Sequence, residues 1–142
     1  ESDDAFEVTL HYAAITVKVG SSPFEAGPTL RYALQGTKGS YRKYHLDPQE
    51  DQLKAGMSFN DPEWSVAPAP QHGTLYLEDE SKLVATINGG YTTFYRQLAT
   101  ALITNNAEAL PASGQSVVAV IRLIELARLA SEQQQTLSVE CI

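Results

Sequence analysis

The sequence has little of several things that would mark a particular class of protein. Its 142 residues include one cysteine, Cys141, which cannot form an intrachain disulfide or a cysteine zinc site. No stretch approaches the roughly 18 uncharged apolar residues of a membrane span. The amino end, Glu1 to Asp4, is acidic where a signal peptide would be basic. The single cysteine suits a reducing compartment, and we expect a cytoplasmic protein.

Positive charge and catalytic motifs are also scarce. Lys and Arg number 10 against 17 Asp and Glu, a net charge of −7 that excludes nucleic acid and anionic lipid as expected partners. The nine glycines form neither a dinucleotide-binding nor a phosphate-binding loop, and no Gly-x-Ser-x-Gly occurs. His11, His45 and His72 are dispersed, so we expect no metal site.

What is present describes an ordinary globular domain. Apolar residues make up 43% of the chain, enough for one domain over residues 1–142 with a real core. Alternation of apolar and polar residues predicts four strands, then a second hairpin turning at 78–81. The six predicted strands are Ala5 to Tyr12, Ile15 to Val19, Thr29 to Gln35, Ser40 to His45, Thr74 to Glu78 and Lys82 to Ile87.

Between the two groups of strands lies a long proline-bearing segment, Leu46 to Gly73. Asp47-Pro48 is typical of a helix start and predicts a short helix over Gln49 to Ala55. Loops of this length are uncommon in compact domains and tend to be functional or mobile. Because its sparse apolar residues and its prolines leave it few ways to bury itself, we expect Leu46 to Gln71 to be the part of this chain, taken on its own, that is least protected in hydrogen exchange.

Helical spacing replaces alternation after Gly89-Gly90. Apolar residues recur every three or four positions from Tyr91 to Leu102, and Ser113 is a good N-cap for a second helix reaching about Ala130. Charges on that second helix occupy one stripe, so we expect it to be covered on most sides. With a last strand over Thr136 to Glu140, the pattern predicts an α+β fold, an open, mostly antiparallel sheet with two carboxyl-terminal helices on one face.

Three segments in order resemble the carboxyl-terminal domain of the Gfo/Idh/MocA family of NAD(P)-dependent oxidoreductases. The first is Leu34-Gln-Gly-Thr-Lys-Gly-Ser40, and the second is Lys43-Tyr-His-Leu-Asp-Pro-Gln-Glu-Asp-Gln52. The third is Gly90-Tyr-Thr-Thr-Phe-Tyr-Arg-Gln-Leu-Ala-Thr-Ala-Leu102, followed by Leu110-Pro-Ala-Ser113 and Val120-Ile-Arg-Leu-Ile-Glu-Leu-Ala127. Together they cover most of the chain in the family's order.

The resemblance implies a dihydrodipicolinate-reductase-like carboxyl-terminal domain, incomplete at its amino end. In the family, a Rossmann domain, absent from this chain, binds NAD or NADP. The Glu-Lys-Pro and Asp-x-Gly-x-His-x-x-Asp motifs that carry the family's catalytic groups are absent here too. We therefore expect no catalytic residue and no bound cofactor in this chain alone. The parent would be a dehydrogenase acting on a sugar, cyclitol or similar polyol, with this chain as its substrate-side and subunit-contact part. The alternative is a free-standing binding or scaffold module with the same sheet.

Candidate substrate contacts lie around the proline-bearing segment and at the start of the first long helix. They are Lys43, Tyr44, Asp47, Gln49, Tyr91 and Tyr95. Trp64 either stacks on a sugar or a neighbouring subunit or merely pins its loop. Lys38, Arg42 and Lys43 form a local basic patch that is solvated or faces a cofactor phosphate, and His45 beside it has no partner for acid/base work.

The resemblance also implies association. Family members use the open sheet as a subunit contact, so we expect a homodimer or higher homo-oligomer. Tyr12, Tyr32 and Tyr41 are the candidate amphipathic contacts on that sheet. The other expected partners are the parent's Rossmann domain and a small-molecule polyol.

Overall fold

The computed structural model describes residues 4–139. The chain folds into two compact units: a terminal unit, Glu1–Pro23 with Phe94–Ile142, and a central unit, Phe24–Thr93. Both combine antiparallel strands with helix, so the predicted α+β class is confirmed. The strands belong to two sheets, one of two strands and one of four, where the sequence pattern predicted one.

The terminal unit contains the predicted first hairpin. Strands β1 (Phe6–His11) and β2 (Thr16–Ser21) pair antiparallel with Val8 opposite Val19. The Tyr12 amide donates to the Ile15 carbonyl at 2.8 Å, which closes a turn centred on Ala13-Ala14 as predicted. Lys18 and Glu7 form an exposed ion pair of 3.0 Å across the two strands. Such pairs contribute little in water.

The central unit contains a four-stranded antiparallel sheet in sequence order. Its strands are β3 (Leu30–Gly36), β4 (Gly39–Tyr44), β5 (Gly73–Tyr76) and β6 (Ser81–Val84). Gly39 has φ 156°, and a Cβ placed there would lie 2.5 Å from the Tyr76 carbonyl oxygen, so the β3–β4 turn requires glycine. The second hairpin turns where predicted, with the Leu77 amide bonded to the Glu80 carbonyl at 2.8 Å.

Three helices complete the fold. The short α1 (Gln49–Lys54) belongs to the central unit, α2 (Tyr91–Thr104) begins there and continues into the terminal unit, and α3 (Gly114–Gln133) belongs to the terminal unit. The Ser113 hydroxyl accepts a hydrogen bond from the Ser116 amide at 3.1 Å, which confirms the predicted N-cap. Asn105, with φ 47°, ends α2 next to the predicted stop.

The end of the chain differs from the prediction. Residues 136–139 belong to no β-ladder, so the predicted last strand is wrong over that stretch; Glu140, its final residue, and Cys141 lie outside the described residues. Leu137 and Val139 instead line an open groove of about 340 Å³ together with β1 and α3. Alternation in so short a segment does not ensure pairing, because pairing needs a free strand edge in register.

Helix α3 is also more open than its sequence predicted. None of its 20 residues is buried, and apolar side chains on several sides are exposed. These side chains include Val117, Val118, Val120, Ile121, Ile124 and Leu129. The expected cover is therefore absent from the described part of this chain.

Candidate functional site

The long segment that follows β4 is better buried than its composition predicted. Gln49, Trp64, Ser65 and Ala67 are among the few buried residues of the described chain, so the scarcity of apolar residues does not leave the whole segment exposed. Its low protection in hydrogen exchange stays a prediction. Hydrogen bonds of the Gln52 side chain hold this segment together where apolar residues are few. The Gln52 side-chain amide donates to the Glu63 carbonyl at 3.0 Å and accepts from the Ser65 amide at 2.8 Å, tying α1 to the loop 63–65.

Trp64 pins this loop. It is 8% exposed, and its ring meets Phe59 edge to face with 4.9 Å between centroids. Its backbone amide also bonds the Asp61 carbonyl at 3.0 Å. A ring buried in this way has no free face for a sugar, so the structure favours the pinning role over stacking.

Gln49 joins the segment to the start of α2. It is 2% exposed, and its Nε2 donates to Asp47 Oδ1 at 2.8 Å while its Oε1 accepts from the Tyr91 amide at 2.9 Å. The Gln49 backbone amide donates to the same Asp47 oxygen at 2.9 Å. Gly89 allows this approach, because a Cβ at that position would overlap the Asp47 carboxylate. Three predicted site residues, Asp47, Gln49 and Tyr91, therefore meet in one hydrogen-bonded cluster.

Lys43 lies in a second polar cluster of the same unit. Its Nζ donates to the Gln71 carbonyl at 2.6 Å and to Thr86 Oγ1 at 3.1 Å, and the residue is 8% exposed. His72 Nδ1 accepts from the Thr86 amide at 3.3 Å. Lysine is rarely buried without a partner, and here two oxygens at the ends of β5 and β6 hold its ammonium group.

The strand register separates several residues that the sequence placed together. Tyr32 is opposite Lys43 and Leu34 is opposite Tyr41, so Tyr32, Tyr41 and Lys43 share one face of the sheet. Tyr44 follows Lys43 and points to the other face, as does Arg42. The predicted basic patch is therefore split between two faces, and Lys43 and Tyr44 cannot line one site from the sheet.

Two further predicted residues lie in the terminal unit. Tyr12 ends the β1 side of the first hairpin turn, and Tyr95 is exposed on α2 with its ring edge-on to Phe94 at 5.4 Å. Each belongs to a different unit from the residues it was grouped with. The expected grouping of Tyr12 with Tyr32 and Tyr41 on one sheet is wrong, because β1 and β2 form a separate sheet.

A cavity of about 300 Å³ that is open to solvent lies where β4 leads into α1. Its lining residues are Gly27, Pro28, Thr29, His45, Leu46, Asp47, Pro48, Asp51 and Gln71. His45 takes a left-handed conformation with φ 69°, uncommon for a residue with a side chain, and its amide bonds the Thr29 carbonyl at 3.2 Å. Within residues 4–139 no group of three His, Cys, Asp or Glu side chains could hold a metal ion.

Sequence reasoning missed Asp51 and Gln71 as lining residues. Asp51 had a weak signal, since it lies in the first turn of the predicted helix, close in sequence to the candidate Asp47. Gln71 had none. Only the path of the intervening loop brings it to the cavity.

Comparison with known proteins decides the family. Residues 1–140 match the Gfo/Idh/MocA group described as "Oxidoreductase family, C-terminal alpha/beta domain". The chain belongs to this family. Scyllo-inositol 2-dehydrogenase (NADP(+)) IolW of Bacillus subtilis is 32% identical over 99% of this chain, and the oxidoreductase YdgJ of Escherichia coli is 31% identical over 96%. The match spans about 40% of the length of each relative.

Solved structures agree with this assignment to the Gfo/Idh/MocA family. The structure of yvaA from Bacillus subtilis superposes with a TM-score of 0.88 at 29% identity, covering 99% of this chain and 42% of that one. An oxidoreductase from Bacillus cereus gives a TM-score of 0.74 at 25% identity, covering 89% of this chain and 38% of that one. The predicted resemblance is confirmed, and the fold matches less than half of these larger proteins.

Proposed function

We propose that this chain forms the substrate-side and subunit-contact part of an NAD(P)-dependent oxidoreductase that acts on a sugar, cyclitol or similar polyol. The observation that carries the proposal is the 32% identity to scyllo-inositol 2-dehydrogenase (NADP(+)) along 99% of the chain. The central unit adds a polar cavity beside Asp47, one of the residues expected to contact substrate. Cytoplasmic location stays a prediction; no helix within residues 4–139 is long and apolar enough to cross a membrane.

The dinucleotide does not fit the residues described. Pyrophosphate binds at the free amides of a helix start that follows a glycine-rich turn. Gly89-Gly90 precedes α2, but the Gln49 side chain takes the Tyr91 amide, and the Asp47 carboxylate lies against Gly89. At the start of α3 the Ser113 hydroxyl takes the Ser116 amide. At the start of α2 a pyrophosphate would meet the negative Asp47 carboxylate, and at the start of α3 it would find the Ser116 amide already bonded. We therefore place cofactor binding outside this chain.

Titration of the chain with NADH and NADPH tests whether the cofactor binds outside this chain. We expect no saturable change in nicotinamide fluorescence at micromolar concentrations. Saturable micromolar binding would overturn the assignment of the cofactor to another part of the protein. The alternative, a free-standing module, is tested by the gene sequence. The reading frame of such a module would encode neither a Gly-x-Gly-x-x-Gly turn nor a Glu-Lys-Pro motif before this chain.

Subunit contact is the second part of the proposal. Tyr32, Leu34 and Tyr41 lie on one face of the central sheet, where Tyr32 and Leu34 are exposed. Amphipathic aromatic side chains of this kind are enriched in protein interfaces, and one self-complementary patch is enough for a C₂ dimer.

Sedimentation equilibrium over a hundredfold range of concentration tests the contact. We expect a dimer that dissociates in Tyr32→Glu and persists in Leu83→Glu, since Leu83 is exposed on the opposite face of the same sheet. A monomer at every concentration, or equal loss of association in the two variants, would contradict this assignment.

A further inference from the structure

The cavity between β4 and α1 combines two features that cost stability. The Gln71 Oε1 atom is buried and has no hydrogen-bond partner within residues 4–139. A buried acceptor without a donor destabilises a fold by about 1–3 kcal/mol. His45, on the same cavity, holds a left-handed backbone that costs an L-residue about 1–2 kcal/mol. An unpartnered buried acceptor and a strained backbone beside one cavity are features found at binding sites.

The lining of this cavity carries acceptors and negative charge. Asp47 and Asp51 contribute carboxylates, Gln71 an amide and Thr29 a hydroxyl, whereas no Lys or Arg lines the cavity. One Asp47 oxygen, Oδ1, already accepts two N–H groups from Gln49. The Asp51 carboxylate is exposed at the start of α1. A ligand that donates hydrogen bonds fits these groups. The Lys43 ammonium bonds the Gln71 carbonyl but does not line the cavity, so the two carboxylates are the charges that an anionic ligand meets there.

The volume narrows the ligand further. About 300 Å³ is the lower end of the range of small-molecule sites, which runs to roughly 1,000 Å³. A single-ring molecule with several hydroxyl groups matches both this size and the acceptors. Gln71 lines this cavity and its terminal torsion is soft, so its side-chain amide can reorient to offer an oxygen to a ligand.

We propose that this cavity binds the hydroxyl groups of a neutral polyol, with Gln71 and Asp51 as acceptors, and that its carboxylates select against phosphorylated and carboxylated sugars. The ligand class in this proposal rests on the proposed function. The location of the site and its selectivity by charge go beyond that function. The ligand's hydroxyl gives the Gln71 oxygen the donor that it lacks in the free protein.

The binding test uses the 142-residue chain, labelled with ¹⁵N, and scyllo-inositol as the probe. We expect saturable amide shifts at residues 27, 29, 45–47, 49–51 and 71 with the probe at up to about 50 mM, since a millimolar dissociation constant corresponds to only about 4 kcal/mol. Absence of shifts, or shifts confined to other residues, would overturn the location. An inositol monophosphate should bind at least about tenfold more weakly, and equal affinity would overturn the charge selectivity.

Two variants test the named acceptors. Gln71→Leu should raise the dissociation constant about tenfold, the change that the loss of one hydrogen bond of about 1.4 kcal/mol produces, without lowering stability. Asp51→Asn removes one carboxylate from the cavity, so the dissociation constants of scyllo-inositol and inositol monophosphate should lie closer together than in the unchanged chain. Gln133→Leu, at an exposed site on α3, is the matched control. Unchanged affinity in Gln71→Leu would remove Gln71 from the site.

These outcomes are separate from those of the proposed function. If the chain binds the polyol at this cavity and also binds NADPH, the cavity assignment stands and the placement of the cofactor outside this chain is overturned. A chain that binds neither would overturn the cavity assignment alone.

Discussion

The hydrogen bonds of Gln49 give the sharpest prediction about stability. Gln49→Leu keeps the volume close to native but removes a charge-assisted bond to Asp47 and a neutral bond to the Tyr91 amide. The first is worth about 1.5–3 kcal/mol and the second about 0.5–1.5 kcal/mol. Gln49 itself is 2% exposed, whereas Asp47 is exposed and its carboxylate can be hydrated in the variant, which offsets part of the first loss. We expect the free energy of unfolding of the central unit to fall by about 1–3 kcal/mol.

Trp64 is the single tryptophan of the sequence and lies in the central unit, so its fluorescence during urea unfolding reports this change directly. Gln133→Leu is the matched control, since Gln133 is exposed on α3 and an exposed substitution usually changes stability by less than about 0.5 kcal/mol. A Gln49→Leu variant with the stability of this control would refute the role given to the Gln49 hydrogen bonds.

Gln49→Glu adds a test of sign with pH. The substitution places a carboxylate where Nε2 lies 2.8 Å from Asp47 Oδ1, and repulsion between the two would raise the pKa of the new carboxyl group in the folded state. A raised carboxyl pKa destabilises the fold above the unfolded-state pKa, and stability returns as the pH falls. We expect Gln49→Glu to be less stable than Gln49→Leu at neutral pH and to recover in acid. A difference between the two variants that is independent of pH would contradict this reasoning.

Three smaller predictions concern other parts of the chain. Ser113→Ala should destabilise α3 by about 1 kcal/mol, measured by circular dichroism during thermal unfolding, because the N-cap acceptor is lost. The exposed ion pair of Glu50 and Lys54, 2.7 Å apart, lowers the pKa of Glu50 from its usual 4.5. Any stabilisation by this pair should therefore disappear as the pH falls through that lowered pKa. NMR titration should show the pKa of Glu50 rising in Lys54→Met. Hydrogen exchange should show protection at the hydrogen-bonded amides of Gln52, Trp64 and Ser65 within the segment Leu46 to Gln71, and fast exchange at all three would contradict the contacts observed.

The sequence predicted elements well wherever local pattern decides them. Alternation over Phe6 to His11 and helical spacing after Gly90 survive in β1 and α2, and the Ser113 N-cap is a local hydrogen bond. Ordered motifs were also enough to predict the family, since residues 34–40, 43–52 and 90–127 keep the family's sequence of features.

Long-range placement could not be predicted in the same way. The segment 46–71 has few apolar residues, and its burial depends on side-chain amides, such as those of Gln49 and Gln52, that bond groups 11 to 42 positions away. Nothing in local composition marks such partners. The same limit hid Gln71 from the candidate site, and the pleat of β4 separated Lys43 from Tyr44 although the two are adjacent in sequence.

The central proposal is that this chain supplies the substrate side of an NAD(P)-dependent polyol dehydrogenase. The most direct test is the polyol-dependent reduction of NAD⁺ and NADP⁺ by the complete product of the gene that encodes it, followed by the absorbance of the reduced nicotinamide. The account predicts turnover with a neutral cyclitol or sugar and a higher KM in Gln71→Leu. A folded gene product that binds the dinucleotide but reduces it with no neutral polyol would contradict this proposal.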